Sequence, residues 1–289
     1  MAEEIQKLVQ EYRDGTITRR EFIRQAVVLT GSLAAANALI ESFFSASSYA
    51  AQVAPNDPGL SSREVQYPGK EGQLSGYLSK PSGAGKYSAV IVIHENRGLN
   101  DHIRDVARRF AKEGFVALAP DYLSRRGGTA KVNPSGGGIS ALREMMPAAA
   151  VGEDTDSAMS YLRGLPEVRG DRIGLVGFCW GGEMTFAAAT RVKGLRAVVV
   201  YYGRSPNPID LVKEIEAPVL AHYGEKDEGV NKTIAAAEEA MKKYSKPYTY
   251  KIYPGAQHAF NNDTADRYHA EAAKEAWGRT VEFFKKQLA

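Results

Sequence analysis

The stretch from Asp171 to Gly182, Asp-Arg-Ile-Gly-Leu-Val-Gly-Phe-Cys-Trp-Gly-Gly, limits what this chain can fold into more than any other. Ile173 to Val176 is a short apolar run, Gly177-x-Cys179-x-Gly181 follows at once, and a helix-like segment from Glu183 to Thr190 comes next. A side chain on so sharp a strand-to-helix turn is pushed out above the carboxyl edge of a sheet, and flanking glycines let the backbone close up. A nucleophile belongs there. The plain alternative is that Cys179 is a small buried hydrophobe, as most intracellular cysteines are; the strand before it and the helix after it favour the nucleophile.

The remaining pattern calls for an α/β fold. Glu64 to Tyr67 and Leu74 to Ser79, around Pro68-Gly-Lys-Glu-Gly72, read as an antiparallel pair. Ser88 to His94 is a continuous apolar strand of the kind buried on both faces of a parallel sheet. Asn100 is expected to cap a helix whose Ile103, Val106, Ala107 and Phe110 share one face, with Gly114 ending it. Strands at Phe115 to Ala119, Ile173 to Val176, Ala197 to Tyr201, Pro218 to Tyr223 and Tyr248 to Tyr253 alternate with helices, the last from about Arg267 to Leu288. Such alternation predicts a mostly parallel, doubly wound sheet with helices on both faces. Between Tyr122 and Gly152 the pattern fails, and the glycines and prolines there predict a long flexible segment, either lining a crevice or lying passively on the surface.

Residues 1 to 54 differ from 55 to 289. Arg19-Arg20-Glu21-Phe22 precedes an alanine-rich stretch from Ala26 to Ile40, too short to span a bilayer, and small residues ending in Ser48-Tyr49-Ala50. A basic patch, an apolar segment and a small-x-Ala site make an export signal, and the paired arginines give it a twin-arginine character. The long acidic lead and the interruptions at Asn37 and Glu41 leave a cytosolic helical hairpin as the alternative. The rest, 55 to 289, is long enough for a single α/β domain. A formal net charge of +3 with 25% charged residues gives no sign of nucleic-acid binding, and one cysteine excludes an intrachain disulfide. No Cys/His cluster has zinc spacing, so no metal or cofactor is implied, and a monomer is expected.

A thiol on a sharp turn needs a base, and the base needs an orienting group. His258 lies on the loop after the last strand and Asp227 on the loop after the strand before it, both at the edge that Cys179 occupies. The chain order of nucleophile, acid and histidine is that of α/β-hydrolases. Glu225 and Glu228 compete with Asp227, while His222 falls inside a strand and His102 and His269 on helices. An oxyanion would take the backbone N–H of Trp180 and a second from the loop after the Ser88 to His94 strand, where Asn96 is the choice.

His94-Glu95-Asn96-Arg97-Gly98, Gly177-Phe178-Cys179-Trp180-Gly181-Gly182, Asp227 and His258-Ala259-Phe260 together resemble the dienelactone hydrolase (carboxymethylenebutenolidase) family, over roughly Val65 to Leu288. The resemblance implies an α/β-hydrolase fold and a Cys179, Asp227, His258 triad cleaving an ester or enol-lactone through a thioester. It also implies that Glu95 accepts the resting thiol's hydrogen bond and swings away when substrate binds; a solvated Glu95, or one paired with Arg97, is the alternative. In that family an arginine shortly after the histidine holds a substrate carboxylate, whereas this chain has Ala259-Phe-Asn-Asn-Asp263. Neutral or acidic side chains cannot replace a bidentate guanidinium. A carboxylate would then be held from another direction, by Arg97, Arg204, or Arg125 and Arg126, with Tyr122 a further candidate for substrate contact. A broad carboxylesterase, an acyl transferase, or an exported binding protein on the same scaffold are the rival readings.

The N-terminal reading predicts that a full-length precursor is processed near Ala50, and that Arg19→Lys with Arg20→Lys holds it inside the cell. Mass spectrometry of cytoplasmic and exported fractions checks this; residues 1 to 50 intact on active cytoplasmic protein would favour the hairpin.

Overall fold

A computed structural model describes residues 4, 5, 7, 8, 11, 19–32, 51–132 and 138–289, the side chains of 19, 20 and 138–141 aside. The chain divides into two compact units, Met1–Ala50 and Ala51–Ala289. In the first, helix α1 (Arg19–Thr30) begins at the paired arginines, and Leu8, Phe22 and Ala26 are buried. The rest of the expected apolar stretch, from Leu33 onward, and Ser48 to Ala50 lie outside the described residues. Among the described residues no helix is long and apolar enough to cross a membrane.

In the second unit, and among the described residues, eight strands form one sheet. They are β1 (Leu60–Gly69), β2 (Gly72–Pro81), β3 (Tyr87–Ile93), β4 (Val116–Pro120), β5 (Val168–Phe178), β6 (Ala197–Tyr201), β7 (Val219–Gly224) and β8 (Tyr248–Tyr253). Their order is β1-β2-β4-β3-β5-β6-β7-β8. β1 pairs antiparallel with β2 and β2 with β4, while all pairs from β4 to β8 are parallel. This is the mostly parallel sheet expected of the sequence.

Period-2 alternation sends each central strand into two cores. Ala89, Ile91 and Ile93 of β3 join Val198 and Val200 of β6 in one; Val90 and Val92 join Val199 and Tyr201 in the other. Helices cover both faces. On the second face lies α2 (Asp101–Lys112), where Asn100 Oδ1 accepts from the Ile103 amide at 3.1 Å and Ile103, Val106, Ala107 and Phe110 are fully buried. Gly114, at φ +93°, ends the helix in the left-handed region that glycine tolerates.

The segment from Tyr122 to Gly152 departs from expectation. Ser124–Arg126 is a 3-10 turn, Thr129–Val132 a single helical turn, α3 spans Gly138–Met145, and α4 runs from Ala148 to Arg163. Residues 133–137, which include Pro134, Gly136 and Gly137, lie outside the described residues. Pro147 sits at the N-cap of α4 rather than inside a loop, and its extended backbone admits the helix that follows. Gly152 costs that helix about 1 kcal/mol relative to alanine; burial of Val151, Ala158, Met159 and Leu162 in the first core more than offsets it. α5 (Trp180–Ala189), α6 (Ile234–Lys243) and α7 (Ala270–Gln287) complete the layers.

Candidate active site

Cys179 stands between β5 and α5 with φ +58° and ψ −118°, a conformation that costs a non-glycine residue on the order of 1–3 kcal/mol. Two close backbone approaches hold it there. A Cβ on Gly177 would lie 2.2 Å from the Gly181 carbonyl oxygen, and one on Gly181 would lie 2.3 Å from that of His94. The Cys179 amide donates to the Tyr201 carbonyl at 3.1 Å, which carries the β5–β6 pairing into the turn.

Asp227 and His258 come from the loops after β7 and β8, and those loops are tied together. The Lys226 amide donates to the Ala256 carbonyl at 2.9 Å, and the Glu225 carboxylate accepts the Gly255 amide at 2.8 Å. Glu225 is thus committed to loop structure, and Glu228 opens a short helix (Glu228–Asn231) on its exposed side. Asp227 faces the histidine: its Oδ2 lies 2.5 Å from His258 Nδ1, and His258 Nε2 lies 3.1 Å from Cys179 Sγ. Thiol, imidazole and carboxylate so ordered can move a proton from sulfur to nitrogen while the carboxylate holds the ring's tautomer. Burial by itself would lower the imidazole pKa; the Asp227 and Cys179 contacts outweigh it and push it up to about 10. The remaining histidines are engaged elsewhere. His222 is buried between Tyr253 Oη and Thr280 Oγ1, its pKa driven down to about 3 by that burial, His102 meets Asp263, and His269 caps α7.

Trp180 is the first residue of α5, so its N–H has no carbonyl of its own helix to bond. Asn96 is half-buried in the turn after β3. There the Glu95 carbonyl accepts from His94 Nδ1 at 2.7 Å and from the Gly98 amide at 3.2 Å. The Glu95 side chain is 6% exposed. Its carboxylate accepts from Asn262 Nδ2 at 2.5 Å and from Tyr202 Oη at 3.3 Å, so in this structure the thiol is paired with His258 and not with Glu95. No ion pair joins Glu95 to Arg97 among the described residues.

The cleft above the thiol encloses about 410 Å³, open solvent included. Cys179, Tyr202, Asp227 and His258 line it, with Gly229 and Val230 on one side and Arg143, Glu183 and Arg204 on the other. Of the cations considered from sequence, Arg204 alone is in the lining, exposed and without an ion-pair partner among the described residues. Arg97 is exposed away from that lining. Arg125 is held by Glu71, Glu153 and Asp154, and Arg126 bonds the Met145 carbonyl. Tyr122 is a correction: it is fully buried, its hydroxyl bonds Thr155 Oγ1 at 2.9 Å, and burial raises its pKa, so it belongs to the core beneath His94 and Trp180.

Sequence reasoning missed Tyr202 and the Arg143–Glu183 pair. Tyr202, at φ +39°, follows the carboxyl end of β6, the strand between those of Cys179 and Asp227, and that position was its signal. Arg143 comes from α3, so the excursion after β4 does line the crevice. Among the described residues no group of three or more His, Cys, Asp or Glu side chains could hold a metal ion.

Comparison with known proteins agrees with the fold. The dienelactone hydrolase family profile matches residues 74–288. The chain belongs to the dienelactone hydrolase family. A Methylorubrum extorquens protein, provisionally named carboxymethylenebutenolidase, is 34% identical over 244 residues, covering 81% of this chain and 84% of its own. A Bradyrhizobium protein, provisionally named 2-oxo-3-(5-oxofuran-2-ylidene)propanoate lactonase, is 36% identical over 223 residues, 73% of this chain and 89% of its own. A crystal structure from Klebsiella pneumoniae, provisionally named dienelactone hydrolase, superposes with a TM-score of 0.71 at 31% identity, covering 78% of this chain and 99% of that one. As a member of this family the chain is an α/β-hydrolase-fold hydrolase.

The raised His258 pKa gives this family member a pH signature. The folded value, about 10, lies above the unfolded value of about 6.5, so the imidazolium contributes stability that is complete below pH 6.5 and is lost as pH rises towards 10. Denaturant unfolding of wild type and His258→Gln should show a gap that is widest near pH 6 and closes towards pH 10. A gap independent of pH would contradict the assigned shift.

Proposed function

We propose that this hydrolase cleaves esters or enol-lactones with Cys179 as nucleophile, His258 as acid and base, and Asp227 as the orienting carboxylate. The observation that carries the reading is the continuous contact from sulfur to Nε2 and from Nδ1 to Oδ2 on a strained turn that opens into a cleft. The Cys179 thiolate, its proton held by His258, attacks the carbonyl carbon. The resulting oxyanion accepts from the backbone N–H groups of Trp180 and Asn96. Collapse breaks the bond to the leaving oxygen, which takes the proton from His258 and leaves a thioester. Water then gives a proton to His258, attacks the thioester, and expels the thiolate.

Glu95 gates the thiol in this reading. Held by Tyr202 and Asn262, it leaves the sulfur to His258, the active arrangement; turned to the sulfur, it keeps Cys179 protonated. Arg204 is the cation available in the cleft for an acidic substituent, and the lactone named for the Bradyrhizobium relative is of that class. We further propose that residues 1 to 50 direct export by a twin-arginine-like route, with processing after Ala50 leaving Gln52 and Val53 on the mature protein.

Assays with activated esters and enol-lactones test the chemistry. Cys179→Ala should lower kcat/KM at least about 10³-fold with little change in thermal unfolding, since the role is chemical. Intact mass under turnover should show an acyl adduct on wild type alone, and substantial turnover by Cys179→Ala would remove the nucleophile assignment.

Gating has its own readout, the labelling of Cys179 by iodoacetamide at neutral pH. Glu95→Ala should label faster than wild type, because a competing acceptor and a negative charge near the thiol are both gone. Unchanged or slower labelling with circular dichroism intact would sink the gate.

A further inference from the structure

The chain just after the expected processing site is bonded to the loop that carries His258. The amides of Gln52 and Val53 donate to the Asp105 carboxylate at 3.2 and 2.9 Å, and Arg108 Nε donates to the Val53 carbonyl at 2.7 Å. Gln52 Nε2 reaches across to Asp263 Oδ2 at 2.7 Å. The same Asp263 meets Arg109 at 2.5 Å and His102 Nδ1 at 3.1 Å, and Arg109 also bonds Asp105. Asp105, Arg108 and Arg109 are buried, so this charge cluster depends on mutual pairing to offset its desolvation.

Asp263 lies five residues after His258 and directly after Asn262, whose amide holds Glu95. The intervening turn is tight: Ala259 has φ +65°, and the Asn262 amide donates back to the Ala259 carbonyl at 3.0 Å. Fixing Asp263 therefore fixes both the position of the imidazole and the donor that keeps Glu95 off the thiol. We propose that Gln52 and Val53 form a strap that, through Asp263, positions the His258 loop, making Gln52 and Asp263 positioning residues for the reaction. The proposal rests on Cys179 and His258 being the reacting pair. Nothing in the strap touches the cleft, so its effect on chemistry is wholly indirect.

The consequence has one sign. A loosened loop lets His258 drift from the sulfur and lets Asn262 leave Glu95, and each change favours the protonated thiol. In the full-length chain, Gln52→Ala and Asp263→Ala should lower kcat, by about tenfold for Asp263→Ala, while KM stays within about twofold, because misplacement of reacting groups falls on the chemical step. Alkylation of the sole cysteine should slow at neutral pH, with its midpoint moved to higher pH. Gln52→Lys, which keeps a donor for Asp263, should restore both readouts.

A purely structural role would lower the unfolding temperature and leave kcat and the alkylation profile at wild-type values; that result overturns the strap, as does failure of Gln52→Lys to restore them. The alkylation profile needs no substrate, so it reads the strap even in an enzyme for which every ester and lactone tested proves inert. Wild-type alkylation that does not change with His258→Gln would instead count against the reading of the reacting pair.

Discussion

The close approach of Gly177 to the backbone of α5, and of Gly181 and Gly182 to the carboxyl ends of β3 and β6, is the constraint on which the site depends. With no side chain at Gly181, α5 packs its first turn against the carbonyls of Ile93 and His94, and with none at Gly182 it packs against that of Tyr201. That packing forces Cys179 into the left-handed region and lifts its sulfur above the sheet. It also brings the first free amide of α5 beside the turn after β3, so the thiol and the amides proposed to receive an oxyanion come from one packing event. Strain at Cys179 persists because neighbours on both sides leave the backbone no other path.

Charge around the thiol is arranged in two tiers. Asp227 has an imidazole as its partner and stands at the cleft wall. Glu95 is deeper and, among the described residues, has only neutral donors, a phenol and an amide. The Tyr202 phenol stays protonated because burial, reinforced by the charges of Glu95 and Cys179, raises its pKa far above the ordinary value. A carboxylate held by neutral donors costs less to move than one locked to a guanidinium, since no buried cation is left unpaired. With Asn262 as its partner, Glu95 meets no cation among the described residues. Behind Asn262, Asp263 is held the opposite way. Although burial would raise its pKa, His102, Arg109 and Gln52 keep it well below the usual carboxylate range.

The excursion after β4 shows where local signals mislead. Its glycines and prolines read as loop, yet Pro147 opens α4, and the helix passes through Gly152 because Val151, Ala158, Met159 and Leu162 bury against the sheet and α5. Local propensity is a weak term beside that burial. One product of this packing, the pairing of Arg143 on α3 with Glu183 on α5, forms a wall of the cleft from residues forty positions apart.

Periodicity, turn residues and one pentapeptide determined the sheet, the capped helix at Asn100, and the loops that bear Cys179, Asp227 and His258. These are legible because each is written in contiguous residues whose spacing matches a strand or helix, and because parallel strands send all their carboxyl ends to one edge. The tertiary structure alone decided that Tyr122 is core, that Arg204 and not Arg125 faces the cleft, that Tyr202 and Asn262 hold Glu95, and that Gln52 reaches Asp263. Each of these turns on which distant side chain takes a given polar group. In a sequence, an arginine beside a buried aspartate and an arginine beside solvent look alike; only the packed chain brings Asp154 to Arg125 and leaves Arg204 without an ion-pair partner among the described residues.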